Sequence, residues 1–361
     1  MHCVDQRKSP AQVAPILSAC QLAGADQYVK PTLMTHLVQG NLYFVLSFFR
    51  KNSDMLIDSI RKQIRNHQIR QRLRQKAFAV EECILLFGTP RSGSTWLMEL
   101  LQAIPGTAVN WEPFSDPNDA LGATQRWGNQ YSILTDALTE EQLRDLTEVL
   151  TLAKYSAWTA RVLEPSQLAK SRYLITKMVR ATHLLPQILQ QFSFVNQPIW
   201  LLRHPVDVAA SQLKLSIPTH YAPDRYEEHK ELMEAMPQPL ERQVSIWCLN
   251  NLLPATFKPA ASQLQLVCYE ELITKPVEVF ASILDRLQLS FSKEEILSQL
   301  DFSKSSQVDF KRDFRAETKE QLYKNNDLLT SDQRRNIQQI FDYFGFRLYE
   351  ANSPYPVTKQ L

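Results

Sequence analysis

The chain has 361 residues, 40 Lys and Arg against 38 Asp and Glu, and a formal net charge of +2. That length holds one large α/β domain with appendages, and nothing in so balanced a charge demands nucleic acid as a partner. The five cysteines, an odd number without paired spacing, argue against a disulfide framework or a zinc site and fit a reducing compartment.

Residues 1–80 read as a helical, basic N-terminal extension, apart from a main domain over residues 81–361. Met1–Pro15 lacks the basic-then-apolar pattern of a secretory signal. Leu37–Phe49, the best membrane candidate, is too short to span a bilayer and is interrupted by Gln39, Gly40 and Asn41. Between Arg50 and Lys76 nine Lys and Arg stand against Asp54 and Asp58. Within Met55–Arg74, Leu56, Ile60, Ile64 and Ile69 recur at roughly helical spacing with basic residues between them. Two readings fit: a solvated basic face, or a surface that meets anionic lipid or an acidic partner. A cytoplasmic protein, with peripheral membrane contact as an option, is the expectation.

From Cys83 onward strand and helix alternate. Strands are predicted at Cys83–Gly88, Thr107–Asn110, Tyr173–Met178, Pro198–Leu202 and Leu264–Cys268, and helices at Thr95–Ala103, Leu184–Phe192, Val206–Leu213 and Val277–Leu287. Such alternation predicts an α/β fold of three layers with a central parallel sheet. Right-handed crossovers gather the strand C-terminal ends on one edge, where ligands bind. Gly88, Trp111, Val179 and Arg203 follow such ends. Long irregular stretches fall at Glu112–Thr135 and Ile217–Pro239.

The densest signal is the run Cys83–Leu97. An apolar strand leads into a tight loop and then a helical pattern. Only 8 glycines occur in the chain, yet Gly88 and Gly93 sit in this loop at G-x-x-x-x-G spacing, followed by Ser94 and Thr95. Backbone N–H groups of such a P-loop, with the helix start behind it, cradle an anion. Ser94 stands where an NTPase carries lysine, and no acidic metal-binding strand end follows. ATP or GTP chemistry is thereby the weaker alternative, alongside a non-catalytic nucleotide-binding module.

Thr89–Leu97 resembles the 5′-phosphosulfate loop of sulfotransferases that use 3′-phosphoadenylyl sulfate (PAPS). Ile199–Ser211 resembles their 3′-phosphate motif, a strand ending in Arg followed by a helix carrying Ser. Leu266–Pro276, reading Leu-Val-Cys-Tyr-Glu-Glu-Leu-Ile-Thr-Lys-Pro, is similar to the family's Tyr-Glu-Asp-Leu segment. The three occur in family order and span roughly residues 83–290. The Arg-Ser-Gly-Ser form of the loop resembles the carbohydrate and bacterial glycolipid branches.

The resemblance implies sulfuryl transfer from PAPS to a hydroxyl or amine of a carbohydrate, lipid or other small acceptor, without a metal. Thr89, Pro90, Arg91, Ser92, Gly93, Ser94 and Thr95 would seat the phosphosulfate, while Arg203 and Ser211 grip the 3′-phosphate. Trp96 either flanks the cofactor or packs the first helix. Arg91 replaces the loop lysine of many cytosolic members. In the family's Lys-x-His run, Lys177 matches the lysine but Val179 occupies the histidine position. His183, four residues on, reads as an ordinary half-buried histidine. Glu112, in Asn110–Phe114, matches a carboxylate base of the carbohydrate branches. Trp111 and Phe114 are expected to raise its pKa and Arg91 to oppose them; the alternative is a loop cap or a pair with an arginine. Lys177, a candidate catalytic residue, and Arg180 add positive potential or form a structural ion pair. His204 replaces the acidic residue of the family's Arg-Asp-Pro and is assigned no chemistry. Lys311, Arg312 and Arg315 match a basic segment that covers the 3′-phosphate in some members. Trp127, Tyr131, His220, Tyr221 and Tyr226, in the two irregular stretches, are expected to wall the acceptor pocket. Golgi members of the carbohydrate branch carry an N-terminal anchor, and the expectation from residues 1–80 is a departure from that topology.

Overall fold

The computed structural model describes residues 42–76, 78–114, 138–216, 228–236, 238–257, 263–302 and 319–358. Its centre is a five-stranded sheet of β1 (Ile84–Gly88), β2 (Thr107–Trp111), β3 (Tyr173–Met178), β4 (Ile199–Leu202) and β5 (Gln265–Cys268). All neighbours are parallel, in the order β2-β3-β1-β4-β5. The predicted strands are all present, with ends displaced by at most one residue.

Each strand serves two cores because successive side chains point to opposite faces. Along β1, Ile84 and Leu86 enter one apolar cluster and Leu85 and Phe87 the other. The first cluster is closed by α2 (Ser94–Leu101) and α11 (Pro276–Asp285), through residues such as Leu97, Leu101, Phe280 and Ile283. The second is closed by α3 (Glu140–Leu150), α6 (Leu185–Gln191), α7 (Pro205–Lys214), α9 (Pro239–Phe257) and α14 (Ser331–Phe344). This is the three-layer α/β arrangement that the alternation predicted. Between these elements lie α4 (Ala157–Val162), α5 (Pro165–Lys170), α8 (Lys230–Ala235), α10 (Tyr269–Thr274), α12 (Lys293–Gln299) and α13 (Lys319–Asp327).

Helix α9 carries no readable amphipathic stripe because it is buried on nearly every side. Glu241, Gln243 and Ser245 are as inaccessible as Val244, Ile246 and Trp247. A helix enclosed all round loses the 3.6-residue polarity pattern that marks a surface helix.

The chain divides into two compact units, Met1–His67 and Gln68–Leu361. The boundary falls inside α1 (Leu42–Gln75). The apolar row expected on this helix is split. Ile60 and Ile64 are exposed, with Ile57, whereas Ile69 is fully buried. Five residues of α-helix turn by about 140°, so Ile64 and Ile69 cannot share a face. Among the described residues no helix is long and apolar enough to cross a membrane.

Candidate active site

Strands β1 and β4 are neighbours, but the chain leaves them toward opposite edges of the sheet, to β2 and to β5. Such a switch point opens a crevice at the strand C-terminal ends. The loop Thr89–Gly93 and the turn Arg203–His204 both start there. Ser92 N–H donates to Thr89 O at 3.1 Å and closes the loop. A Cβ on Gly88 would meet Ser92 Oγ at 2.7 Å and Leu201 O at 3.3 Å. Gly93 adopts φ +88°, and a Cβ there would run into the Tyr269 ring. Glycine is therefore required twice by close approach and once by the left-handed backbone. Gly93 caps α2 without any side-chain hydrogen bond. Thr89 Oγ1 and Ser92 Oγ are buried without a hydrogen-bond partner. Two buried, unmet hydroxyls beside a bare helix start suit an anionic group such as a phosphosulfate.

Arg203 and Ser211, the second pair singled out in the sequence, lie against the same loop. Arg91 Nε donates to Ser211 Oγ at 3.0 Å, and Arg203 Nη1 approaches Arg91 O at 3.5 Å. Gln212 Nε2 donates to Pro90 O at 2.9 Å. The Arg203 guanidinium lies over the Tyr269 ring, 4.5 Å from its centroid, and Trp96 meets that ring edge-on at 6.2 Å. Trp96 thus packs within the α2 side of the core as well as bordering the loop. His204 does what an aspartate would do at this position: its Nδ1 accepts Val206 N–H at 3.3 Å and caps α7. Burial pushes its pKa down to about 4, so the ring is neutral at physiological pH. Its backbone N–H donates to Glu270 Oε1 at 2.7 Å, and Tyr349 O–H donates to Oε2 at 3.0 Å. Burial raises Glu270 to about 7 against these hydrogen bonds and Arg203. This carboxyl ties the Arg203–His204 turn to the start of α10 and to the C-terminal segment.

Glu112 and Lys177 come together from neighbouring strands. The register pairs Trp111 with Lys177 across β2 and β3, and Glu112 N–H donates to Lys177 O at 2.8 Å. Lys177 Nζ is fully buried and lies 2.5 Å from Glu112 Oε1, which also accepts Trp111 Nε1–H at 3.1 Å. The expected upward shift of Glu112 is corrected. Burial does push it up, but Lys177, with its charge and hydrogen bond, the Trp111 hydrogen bond and Arg180 outweigh burial, so the carboxyl sits below its ordinary value. The cations among these causes are Lys177 and Arg180. The carboxylate is therefore ionised at neutral pH.

Arg91 has φ 75° and Glu112 φ 46°. Left-handed backbone at a non-glycine residue costs about 1–3 kcal/mol and is concentrated at functional sites. A buried polar lattice holds the end of β2: Thr159 Oγ1 donates to Asn110 Oδ1 at 2.9 Å and accepts Trp111 N–H at 2.9 Å, and Ser156 Oγ donates to Trp111 O at 3.2 Å. Sequence reasoning missed Asn110, Ser156 and Thr159, because a satisfied buried polar residue has no local signature.

Val179 and His183 line a cavity with Thr89, Pro90, Gln243 and Trp247. His183 is buried, on the short 3₁₀ turn Thr182–Leu184 before α6. The acceptor-wall candidates Trp127, Tyr131, His220, Tyr221 and Tyr226, and the basic Lys311, Arg312 and Arg315, lie outside the described residues. Cys83 and Cys268 are buried thiols outside any disulfide, and burial pushes Cys83 up to about 12. Among the described residues no group of His, Cys, Asp and Glu is arranged to hold a metal ion.

A glycine loop at the switch point of a parallel sheet, lacking the NTPase lysine, gives a P-loop-like α/β fold. Residues 83–293 match the sequence model of the sulfotransferase family. That is more than half of the chain, and the chain belongs to this family. By family it is a sulfotransferase. Among solved structures it is similar to the sulfotransferase domain of the Synechococcus olefin synthase, at 22% identity over 74% of this chain and 95% of that one, with a TM-score of 0.44. The sulfotransferase domain from the curacin biosynthetic pathway is 18% identical over 75% and 100%, with a TM-score of 0.42. A mouse sulfotransferase complexed with PAP is 14% identical over 74% and 84%, with a TM-score of 0.38. Family membership rests on the sequence match and not on these distant likenesses. No curated protein matches the chain.

Proposed function

We propose that the Thr89–Thr95 loop seats the phosphosulfate, that Arg203 and Ser211 hold the 3′-phosphate, and that Glu112 is the general base. The acceptor is a hydroxyl or amine of a carbohydrate, lipid or other small molecule. In the step, the acceptor oxygen or nitrogen bonds to sulfur and the bond from sulfur to the phosphate oxygen breaks. The acceptor's proton passes to Glu112, and adenosine 3′,5′-bisphosphate leaves. Arg91 and Lys177 stabilise negative charge as it builds on the leaving phosphate. The observation that carries this reading is the convergence of Arg91, Ser211 and Arg203 on one crevice. The ion pair with buried Lys177 supports an ionised Glu112, the protonation state from which a base acts.

Arg91→Ala tests the assignment of charge development. Turnover is expected to fall at least roughly tenfold, with a smaller change in affinity for the bisphosphate, because a group acting on developing charge affects kcat. Unchanged turnover with only a raised KM would show that Arg91 merely binds the ground state.

A cytoplasmic enzyme that touches membranes peripherally is part of this proposal. Exposed Ile57, Ile60 and Ile64 on α1, amid the excess of Lys and Arg between Arg50 and Lys76, support it. Cosedimentation should be stronger with phosphatidylserine vesicles than with phosphatidylcholine vesicles, and should fall with salt and in the Ile60→Ser/Ile64→Ser variant. Equal binding to both vesicles would argue for a solvated face only.

A further inference from the structure

The first two residues of α10 hold the Arg203–His204 turn. The parallel register pairs Leu202 with Cys268, so the residues that follow β4 and β5 meet just beyond the ladder. The Tyr269 ring carries the Arg203 guanidinium, 4.5 Å from its centroid. Glu270 Oε1 accepts the His204 N–H at 2.7 Å, and Oε2 accepts the Tyr349 O–H at 3.0 Å. Glu270 and Tyr349 are at most 2% exposed. The His204 ring is held as well. Its Nδ1 accepts Val206 N–H, its Nε2–H donates to Glu350 O at 3.3 Å, and Tyr349 meets it edge-on at 5.0 Å. Both oxygens of one enclosed carboxyl are therefore spent on fixing the residue next to Arg203.

Such a carboxyl also acts by charge. Ionised, it competes with an incoming anion for the field of Arg203; neutral, it leaves that field to the anion. Burial raises Glu270 to about 7, while the His204 N–H, Arg203 and the Tyr349 hydroxyl pull it down. Burial, Glu270 and Cys268 hold Tyr349 well above the ordinary tyrosine value, so its hydroxyl stays protonated. His204 is neutral. Asp207, buried on the first turn of α7, accepts Asn325 Nδ2–H at 2.6 Å. Lys275 and Glu278 at the start of α11, and Lys324 and Asp327 on α13, are exposed.

Resting on the proposed grip of the 3′-phosphate by Arg203, we infer that Glu270 is a proton-linked positioning residue for that grip. The neutral acid still accepts the His204 N–H at its carbonyl oxygen, so the turn keeps its place while the negative charge beside Arg203 is gone. Where Glu270 is ionised before binding, it takes up a proton from solvent as the 3′-phosphate arrives. The phosphate is a dianion above its own second pKa of about 6. Preference for adenosine 3′,5′-bisphosphate over AMP is therefore full below about pH 7 and declines as pH rises through that value.

Calorimetric titration of the full chain with both nucleotides, at about pH 6.5 and 8.5, reads the affinity ratio. Buffers of different ionisation heat at about pH 7.5 read the proton count. In the unaltered chain the ratio should fall at least roughly threefold between the two pH values. The bisphosphate should take up a larger fraction of a proton than AMP. Glu270→Gln keeps an oxygen for the His204 N–H and carries no charge. Its ratio should hold at the higher pH, and the excess proton uptake should vanish. Glu270→Ala removes the support itself and should lower the ratio roughly tenfold at both pH values. If Glu270→Ala fails to fold, the unaltered chain and Glu270→Gln carry the test. A pH-independent ratio in the unaltered chain, the same pH dependence and proton count in Glu270→Gln, or an unchanged ratio in Glu270→Ala overturns this inference alone. Equal affinity of the unaltered chain for the two nucleotides at the lower pH overturns the proposed grip and this inference together.

Discussion

Glu112→Gln is expected to bind adenosine 3′,5′-bisphosphate normally and to lose roughly 10²–10⁴ of turnover, the usual cost of removing a general base. The amide preserves the shape and can still accept the Lys177 hydrogen bond, but it takes up no proton. Lys177 and Arg180 hold Glu112 below its ordinary value. The carboxylate is therefore fully available above about pH 4.3, the unperturbed glutamate value, and is lost only as pH falls below that. The pair's contribution to stability follows the same course, complete at neutral pH and lost in acid. No loss of rate from this group is expected between about pH 5 and 8. A purely structural ion pair predicts otherwise. Breaking one costs about 3–5 kcal/mol of stability, so turnover would fall together with Tm and would recover on cooling. His183→Ala should keep most activity. A dead His183→Ala beside an active Glu112→Gln would hand the proton to a displaced histidine, since Val179 occupies the usual position.

Arg203→Ala should weaken binding of the bisphosphate by roughly ten- to a hundredfold, the worth of a charge-assisted pair. Its affinity for AMP should hardly change. The guanidinium is already ordered before any nucleotide arrives. It lies on the Tyr269 ring, and its neighbour His204 is tied to buried Glu270. Little rotamer entropy is left to lose on binding. Equal losses for the two nucleotides would show that Arg203 supports the loop through Arg91 O rather than addressing a 3′-phosphate.

The sheet was legible because its strands are short apolar runs with clear stops. Leu85 and Ile84 point to different cores, so neither position tolerates a polar residue, and the run reads as continuous. The loop was legible because two of so few glycines meet in it, and Tyr269 explains why Gly93 must be one. The Glu112–Lys177 pair was not legible. Its members are 65 residues apart, and only the β2–β3 register brings them together. The resulting downward shift of Glu112 is a consequence of topology, which local apolar neighbours do not foretell. Helix α9 was missed for lack of an amphipathic stripe, and with it Gln243 and Trp247. The caps of α3 and α14 were readable signals, since Thr139–Gln142 and Thr330–Gln333 each form a capping box.

The proposal that the crevice between β1 and β4 holds a nucleotide carrying a 3′-phosphate is tested most directly by calorimetric titration of the unaltered chain. Adenosine 3′,5′-bisphosphate and AMP differ only in that group. The bisphosphate should bind at least roughly tenfold more tightly, because only it brings a 3′-phosphate to Arg203 and Ser211. Equal affinity for the two nucleotides would contradict the assignment.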